Sequence, residues 1–316
     1  MALRLGVIGA GLKAADYARG WAAMEDVSIA ATAEVSEVSR KRFADTCEAA
    51  GAPRPAEYPD AEVMLAAMQG QMDAVYVSTP HVFHGANALA VIEAGYDLLL
   101  EKPMVTTVEE ALALVEAEKQ SGRTVVIALQ GGLSPLVHDT RDRARRGDFG
   151  ELVSVNASIW EGWKASYAGQ WKQNPAISGG GFMFDTGAHM MNTVCVLADA
   201  EFARLSAFAN NRGIAVDLAT AVAARLTNGA VVTFNAAGEG PPGCASAITW
   251  GSAAHSASTS SATGSSGKVT RTLPWLSTPI ASSTWLGASV EAVHADPEAT
   301  AMPRRSRPSA RVSPST

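Results

Sequence analysis

The sequence predicts an α/β protein in which an N-terminal doubly wound parallel sheet is followed by an α+β domain with a largely antiparallel sheet. Short apolar runs alternate with helix-spaced segments over the first 130 residues, as a parallel sheet covered on both faces requires. A glycine-rich loop follows the first apolar run, and after Gly131 the pattern changes to strand-like runs joined by turn residues. Connections between parallel strands are right-handed, so the alternating part is expected to be doubly wound.

Five apolar runs in the alternating part predict strands, and four segments between them have helical spacing. The strands are expected at residues 3–8, 27–33, 74–77, 97–100 and 124–128, and the helices at 12–23, 36–50, 82–94 and 108–121. Each run has the length of a buried strand, and each helical segment is long enough to cross back over the sheet.

The second region is predicted to contain two helices and four strands. The helices are expected at 135–146 and 186–197, and the strands at 152–160, 202–209, 217–226 and 230–235. Asn228-Gly229, a dipeptide preferred in tight hairpin turns, joins the last two strands. We therefore divide the chain into a dinucleotide-binding domain (1–123), a substrate and oligomerisation domain (124–251) and a tail (252–316). We also expect the sheet of the second domain to be incomplete.

Composition and charge argue against several classes of function. The 316-residue chain has a net charge of −6, whereas a nucleic-acid-binding face needs clustered Lys and Arg. No apolar stretch approaches the roughly 20 residues that span a bilayer, and no signal peptide precedes the first strand. Cys47, Cys195 and Cys244 are widely spaced, which fits a reducing compartment better than disulfide bonds or a zinc site. We expect a cytoplasmic protein without a metal, membrane or nucleic-acid partner.

The composition changes abruptly at Ser252. Of the 65 residues from Ser252 to Thr316, 40 are Ser, Thr, Ala or Pro, so this segment has too little apolar surface to offset the entropy of ordering. One interpretation is a disordered tail. The other is translation out of frame, in which GC-rich codons for Ser, Ala and Thr, read in a shifted frame, would encode strand-like runs of Gly, Leu, Ile, Val and Asp.

The loop after the first strand predicts dinucleotide binding. Gly9 permits the tight turn, and Gly11, followed by Leu12, lets backbone N–H groups approach a pyrophosphate at the helix N-terminus. Ala14 replaces the third glycine of the motif and is still small enough for close packing of the helix on the sheet. The motif alone is weak, but it lies between a predicted strand and a predicted helix, as dinucleotide binding requires.

An acidic residue at the end of the second strand favours NAD as the cofactor. The carboxylate of Glu34 can accept hydrogen bonds from the hydroxyls of the adenosine ribose and would repel a 2′-phosphate. Arg40 and Lys41 lie close by in the sequence, so NADP remains an alternative.

Lys102 lies where catalytic side chains are expected in an open sheet. It follows the strand at 97–100 within Glu101-Lys102-Pro103, and ligands of such sheets bind beyond the carboxyl ends of the strands. Pro103 pushes Lys102 towards an extended backbone and would suit a cis peptide bond. The alternative is a solvated lysine at the end of a strand.

A second cluster precedes the helix at 186–197. Asp185 and His189 are four residues apart and share one face if both lie in the opening turns of the helix. A histidine with a nearby carboxylate is the usual way to build a base that works near neutral pH. The glycine run 179–181 before them would allow a ligand to approach the backbone closely. The alternative is a helix cap with a surface histidine, although apolar flanking residues argue against a solvated pair.

These motifs occur in the order seen in the Gfo/Idh/MocA oxidoreductases, which the chain resembles over residues 3–250. The group includes glucose-fructose oxidoreductase and inositol dehydrogenase. The resemblance also rests on Ser78-Thr79-Pro80 followed by His84. It implies a Rossmann domain that uses these residues, the glycine loop and Glu101-Lys102 to bind a nicotinamide cofactor, and a sugar or polyol substrate between two domains.

The resemblance also implies a mechanism. His189 would take the hydroxyl proton as the hydride leaves, Lys102 would hydrogen-bond the same oxygen, and Asp185 would orient the histidine or bind a substrate hydroxyl. Lys172 matches a family position often held by Arg or Lys and is therefore expected at the substrate. Asn192, also expected at the substrate, stands where many relatives carry Asp.

Two other functions stay open. Some relatives hold NAD tightly and use transient redox chemistry to cleave glycosidic bonds.

In the family, strands after the hairpin complete a sheet whose open face commonly forms the subunit interface, so a homo-oligomer is expected if this sheet forms. An incomplete sheet would instead leave a dinucleotide-binding protein with impaired catalysis, and an exposed sheet edge is an aggregation hazard.

We expect the encoding DNA, read in a shifted frame after the codon for Trp250, to yield an apolar and strand-like sequence. The reason is that the present frame lacks the hydrophobic periodicity of a folded segment. Sequencing the DNA is the measurement. An early stop codon, or equally low-complexity sequence in the shifted frame, would leave the disordered tail as the better interpretation.

Overall fold

The computed structural model describes residues 2–240, 245–253 and 288–294. Its N-terminal part is a parallel sheet of six strands with the order β3-β2-β1-β4-β5-β6. In chain order these strands are β1 (Leu3–Ile8), β2 (Val27–Ala33), β3 (Ala56–Tyr58), β4 (Ala74–Val77), β5 (Asp97–Leu100) and β6 (Val125–Ile127). The order reverses beside β1, so the carboxyl ends of β1 and β4 flank the crevice where an open sheet of this kind binds its ligands.

Five helices connect these strands. They are α1 (Leu12–Ala22), α2 (Glu37–Ala49), α3 (Ala61–Ala67), α4 (His84–Glu93) and α5 (Val108–Ser121). Side chains cap three of them: Ser36 caps α2, Asp60 caps α3, and Thr107 forms a capping box with Glu110 at α5. The sequence pattern does not predict β3 and α3, because elements of three and seven residues are too short to show a hydrophobic period.

The second part combines a mixed sheet with short helices. Its helices are α6 (Gln130–Leu133), α7 (Pro135–Arg145), α8 (Trp163–Ser166), α9 (Pro175–Ser178) and α10 (Ala188–Ala198). Its strands are β7 (Glu151–Trp160), β8 (Phe202–Asn210), β9 (Ala219–Leu226), β10 (Val231–Ala237), β11 (Ala245–Ala253) and β12 (Ala288–His294). The strand order is β12-β11-β7-β10-β9-β8, with parallel pairing only of β10 with β7 and of β11 with β12.

The predicted fold class, a doubly wound parallel sheet followed by an α+β part with a largely antiparallel sheet, is confirmed. β11 and β12 extend the second sheet beyond β7, and the expectation that this sheet is incomplete stays a prediction. β12 and the end of β11 fall within the segment predicted as a tail, and the rest of that segment, 254–287 and 295–316, lies outside the described residues. Since β6 pairs with β5, we propose to move the domain boundary from residue 123 to a position after Ile127.

Helix α10 covers the inner face of the second sheet. Its Met190, Val194 and Leu197 are buried against inward-facing residues of β7 and β10 such as Ile159 and Phe234. Alternate residues of these strands point outward, as the period of two in a strand requires. None of the helices in the described residues combines the length and the apolar character needed to cross a bilayer.

Gly9 brings the glycine loop close to the carboxyl end of β4. It has φ +89°, and a Cβ atom there would lie 2.7 Å from the backbone carbonyl of Ser78. Gly51, in the turn after α2, has almost the same φ, +88°, but a Cβ atom would meet nothing within 4 Å. Both glycines therefore have a positive φ, but only at Gly9 would a side chain collide with a neighbouring strand end.

We predict that Gly9→Ala destabilises the protein more than Gly51→Ala does. Alanine at positive φ costs about 1–2 kcal/mol at either position, and the contact with Ser78 should add about 1–3 kcal/mol at Gly9 alone. Urea unfolding of both variants measures the difference. Equal losses at the two positions would contradict the close approach of the glycine loop to β4.

Candidate active site

One continuous cleft of about 2590 Å³ joins the glycine loop to the second part of the chain. Its wall includes Gly9, Gly11 and Glu34 at one end and Lys102, His189 and other polar residues at the other. A cleft of this extent exceeds the few hundred to about 1,000 Å³ typical of small-ligand pockets, and so has room for two molecules.

The helix N-terminus at the glycine loop is open towards the cleft. Gly11 is the N-cap of α1, no side chain caps this helix, and a Cβ atom at Gly11 would meet nothing within 4 Å. Leu12 and Lys13 in the first turn also line the cleft, and Leu12 is 72% exposed. Unsatisfied N–H groups, the helix dipole and the lysine charge all favour an anion here.

Glu34 closes the far end of the cleft. Its carboxylate accepts hydrogen bonds from the backbone N–H groups of Ala10 and Ser36, each at 2.9 Å. Of the two basic residues that kept NADP open, Arg40 donates to the carbonyl of Glu34 and Lys41 pairs with Asp45.

The basic residue that lines the cleft beside Glu34 is Arg42, together with Ser39. Sequence proximity had pointed to Arg40 and Lys41, which the structure directs elsewhere. A preference for NAD or NADP therefore depends on Glu34 and Arg42.

Ser78, Thr79, Pro80 and His84 all line the cleft. The His84 side chain is completely buried, with its ring nitrogens 2.8 Å from the carbonyl oxygen of Pro103 and 2.9 Å from that of Thr79. Burial lowers the pKa of His84. These two contacts tie the loops after β4 and β5 together, and the contact of His84 with the cofactor stays a prediction.

Glu101 and Lys102 point to different surroundings although they are adjacent. Glu101 is 5% exposed and accepts hydrogen bonds from the Tyr76 hydroxyl at 2.9 Å and from the Lys102 N–H at 3.2 Å. The Lys102–Pro103 peptide bond is cis, as the sequence suggested. The Lys102 ammonium, by contrast, reaches across to the second part of the chain.

Asp185 is the centre of the site. Its buried carboxylate accepts hydrogen bonds from Lys102 Nζ at 2.6 Å, Lys172 Nζ at 2.7 Å and Trp163 Nε1 at 2.8 Å. Burial by itself would raise the pKa of Asp185, but the two ammonium groups outweigh it and hold the pKa well below its usual range. His81 lies at the edge, with Nε2 3.9 Å from Asp185 Oδ1, and burial lowers its pKa to about 4.

The segment that carries Asp185 is a π-helical turn, Met183–Gly187, that runs into α10. Single π-helical turns often occur at functional sites. The Asp217 carboxylate holds the start of this turn by accepting from the N–H groups of Gly181 and Met183, each at 2.7 Å. A Cβ atom at Gly181 would lie 2.0 Å from the Asp217 carbonyl oxygen. The glycine run therefore serves internal packing, which corrects the expectation of close approach to a ligand.

His189 lines the cleft one helical turn after Asp185 and is 9% exposed. Burial, with the charge of Lys102 as the next cause, lowers its pKa to about 3. A base with a near-neutral pKa was expected from the nearby carboxylate. The expectation failed because burial and the lysines outweigh Asp185, whose own charge the two lysines compensate.

The structure separates the two expected substrate contacts. Lys172 lines the cleft, and its ammonium lies 4.4 Å from the centre of the Tyr167 ring. Asn192 faces α6 instead, since a Cβ atom at Gly132 would lie 2.1 Å from Asn192 Oδ1. Thr193 is the neighbour that lines the cleft, because successive residues of a helix are rotated by about 100°.

The aromatic and acidic residues of the site were harder to infer. Trp163 is buried, lines the cleft and donates to Asp185, whereas Trp160 is 47% exposed and does not line the cleft. His81, Glu161 and Asp217 were missed. His81 directly follows Ser78-Thr79-Pro80, which is a usable signal, whereas Glu161 and Asp217 belong to no motif.

Two profiles of one protein family match the chain. The first, described as an oxidoreductase family with an NAD-binding Rossmann fold (GFO_IDH_MocA), matches residues 3–129. The second, described as the GFO/IDH/MocA C-terminal domain, matches residues 137–253. The second match ends close to Ser252, where the composition changes.

Individual relatives match over shorter regions. Inositol 2-dehydrogenase 2 of Saccharopolyspora erythraea is 37% identical over 131 residues, which are 40% of this chain and 35% of that protein. A glycosyl hydrolase family 109 protein of Streptomyces coelicolor is 30% identical over 128 residues, which are 40% of this chain and 27% of that protein. The alignments thus span well under two thirds of the length of either relative.

The fold also matches solved structures. Levoglucosan dehydrogenase in complex with NADH and levoglucosan superimposes with a TM-score of 0.67 at 23% identity, covering 76% of this chain and 68% of that chain. At this level of identity the match concerns the fold. It includes both sheets, because 76% of the chain exceeds the length of either part alone.

We predict that Asp185→Asn lowers the free energy of unfolding by about 3–5 kcal/mol, because it leaves two ammonium groups without their buried counter-charge. The double variant Asp185→Asn/Lys172→Met should recover part of this loss. Urea unfolding measures both.

Asp45→Asn is the matched control for this prediction. Asp45 also pairs with two cations, Lys41 and Arg54, but it is exposed to solvent, so its removal should change stability little. Similar small losses for Asp185→Asn and Asp45→Asn would contradict a central role of the buried carboxylate.

Proposed function

The chain belongs to the Gfo/Idh/MocA oxidoreductase family, and from this premise we propose that it is an NAD(P)-dependent dehydrogenase that oxidises a hydroxyl group of a sugar or polyol. One observation carries the proposal. The same cleft has a helix N-terminus suited to a pyrophosphate at one end and a buried group of two lysines, a carboxylate and a histidine at the other.

The residues at the glycine loop fit a dinucleotide. The crowding at Gly9 and the open space at Gly11 shape a cradle that side chains at these positions would fill. Gly9, Gly11, Leu12 and Glu34 would hold the adenosine and pyrophosphate portion, and the loops at 78–80 and 101–102 the nicotinamide portion. When bound, NAD supplies the acceptor for the hydride.

The protein's own groups handle the proton and the charge. His189 is neutral over the physiological range because its pKa is low, so its ring can accept the hydroxyl proton. Lys102 would donate to the same oxygen and stabilise the negative charge that develops on it. Asp185 would act through the lysines, since both of its oxygens already accept hydrogen bonds from them and from Trp163.

A second candidate is a glycosidase that uses NAD transiently. It is supported by two relatives named as glycosyl hydrolase family 109 proteins, from Streptomyces coelicolor and Saccharopolyspora erythraea. The two functions differ in their use of the cofactor. A dehydrogenase accumulates NADH in proportion to product, whereas the glycosidase releases sugar without net change in NAD.

We predict that Lys102→Ala and His189→Ala each lower the turnover of a sugar or polyol by about 10²–10⁴-fold, because each removes a group that acts on the reacting oxygen. The assay is NADH formation with a panel of myo-inositol, D-xylose, D-glucose and levoglucosan. The variants should still bind NADH, as measured by its fluorescence.

The exposed Lys119→Ala on α5 is the control and should have wild-type turnover. Unchanged turnover in the two active-site variants would overturn their catalytic roles. Absence of NADH formation with every substrate, together with release of a sugar from a glycoside, would favour the glycosidase.

A further inference from the structure

Glu161 is an acidic group of the cleft that the proposed mechanism does not use. It directly follows β7 and lines the same cleft as Lys102, Asp185 and His189. Its Oε1 atom is buried and has no hydrogen-bond partner among the described residues. A buried polar atom without a partner costs about 1–3 kcal/mol, so a ligand that pairs with this carboxyl group after a rotation of its side chain towards the cleft would recover that cost.

The surroundings of Glu161 favour its neutral form. Burial raises the pKa of Glu161 to about 7, and the charge of Asp185 adds to this effect. Lys102 and Lys172 act in the opposite direction, as does a hydrogen bond between the Thr186 hydroxyl and this carboxyl group. Tyr167 is the other titratable group influenced by Glu161, and burial raises its pKa. The carboxyl group is therefore protonated in a substantial fraction of molecules near neutral pH.

A protonated carboxyl group has one donor and one acceptor to satisfy. A hydroxyl group offers the complementary acceptor and donor, whereas an apolar group would leave both unpaired. Glu161, Lys102 and Asp185 line the same cleft, so a substrate bound there would face this carboxyl group as well.

We propose that Glu161 is a further substrate-contacting residue, which in its protonated form donates a hydrogen bond to a hydroxyl group beside the one that is oxidised. The inference rests on the proposed dehydrogenase function. It assigns Glu161 to substrate selection, since a site built to bind a hydroxyl group rejects analogues that lack it.

The first test compares Glu161→Gln with Glu161→Ala in the panel assay. Glutamine retains a donor and an acceptor, so at about pH 6 its kcat/KM should stay within about threefold of wild type, whereas alanine should lose about tenfold or more. As pH rises to about 8.5, wild type should lose about tenfold relative to Glu161→Gln, because only wild type loses its donor. Wild-type kcat/KM in the alanine variant, or a constant ratio of wild type to glutamine across pH, would overturn the proposal.

The second test does not depend on turnover. Because ionised Glu161 is less favourable in the folded than in the unfolded chain, its stabilising contribution is present at low pH and is lost as pH rises through about 7. The Tm of wild type should therefore fall relative to that of Glu161→Gln between about pH 5.5 and 8.5. Glu151→Gln, at the exposed start of the same strand, should show no such divergence.

The two tests separate failure of this inference from failure of the proposed function. If no substrate of the panel is oxidised, the dehydrogenase proposal fails, and the melting experiment then decides on Glu161. A constant difference in Tm across pH overturns the protonated donor, and a growing difference supports it.

Discussion

The rest of the site depends on the buried carboxylate of Asp185. It binds one ammonium group from the loop after β5 and a second ammonium and an indole N–H from the second part of the chain. A carboxylate that is removed from water needs several donors at once, and here those donors come from both sides of the cleft. The same interaction that satisfies a buried charge therefore fixes the two walls of the cleft relative to each other, and with them the position of Lys102.

The charge balance of this cluster explains how its other groups behave. Two lysines and one aspartate leave one positive charge, and both His81 and His189 are neutral because burial lowers the pKa of each. An excess positive charge stabilises an alkoxide and so eases removal of a hydroxyl proton. The same charge makes His189 a weaker base. In the proposed reaction, the lower basicity of the histidine would be offset by stabilisation of the oxygen that loses the proton. The raised pKa of Glu161 limits how far its carboxylate would cancel the positive charge near neutral pH.

The sequence predicted elements and site residues well where a residue pattern has a single structural explanation. Alternating apolar runs located the longer strands and helices, and the glycine loop, Lys102, Asp185 and His189 were each found from a motif with a mechanism. The sequence was less informative about which side of each helix or strand faces the cleft. Asn192 faces α6, His84 faces two carbonyl groups, and the glycines at 179–181 pack internally, because the side of an element that meets the cleft depends on tertiary packing. Glu161 was missed for the same reason: a glutamate one residue beyond a strand has no distinctive pattern until burial reveals its unpaired oxygen.

The composition change at Ser252 and the chemistry of the cleft can be considered separately. Every residue proposed to hold the cofactor, the proton or the substrate lies between Gly9 and His189, and the segment that positions Asp185 is closed by Asp217. β11 pairs with β7 through its backbone, and β7 ends directly before Glu161, so among the described residues a change in β11 would reach the site through that strand. Loss of β11 would expose the edge of β7 and affect solubility and assembly first, because an unpaired edge invites pairing with other chains. The electrostatic cluster, which needs only Lys102, Trp163, Lys172 and Asp185, would retain all its partners.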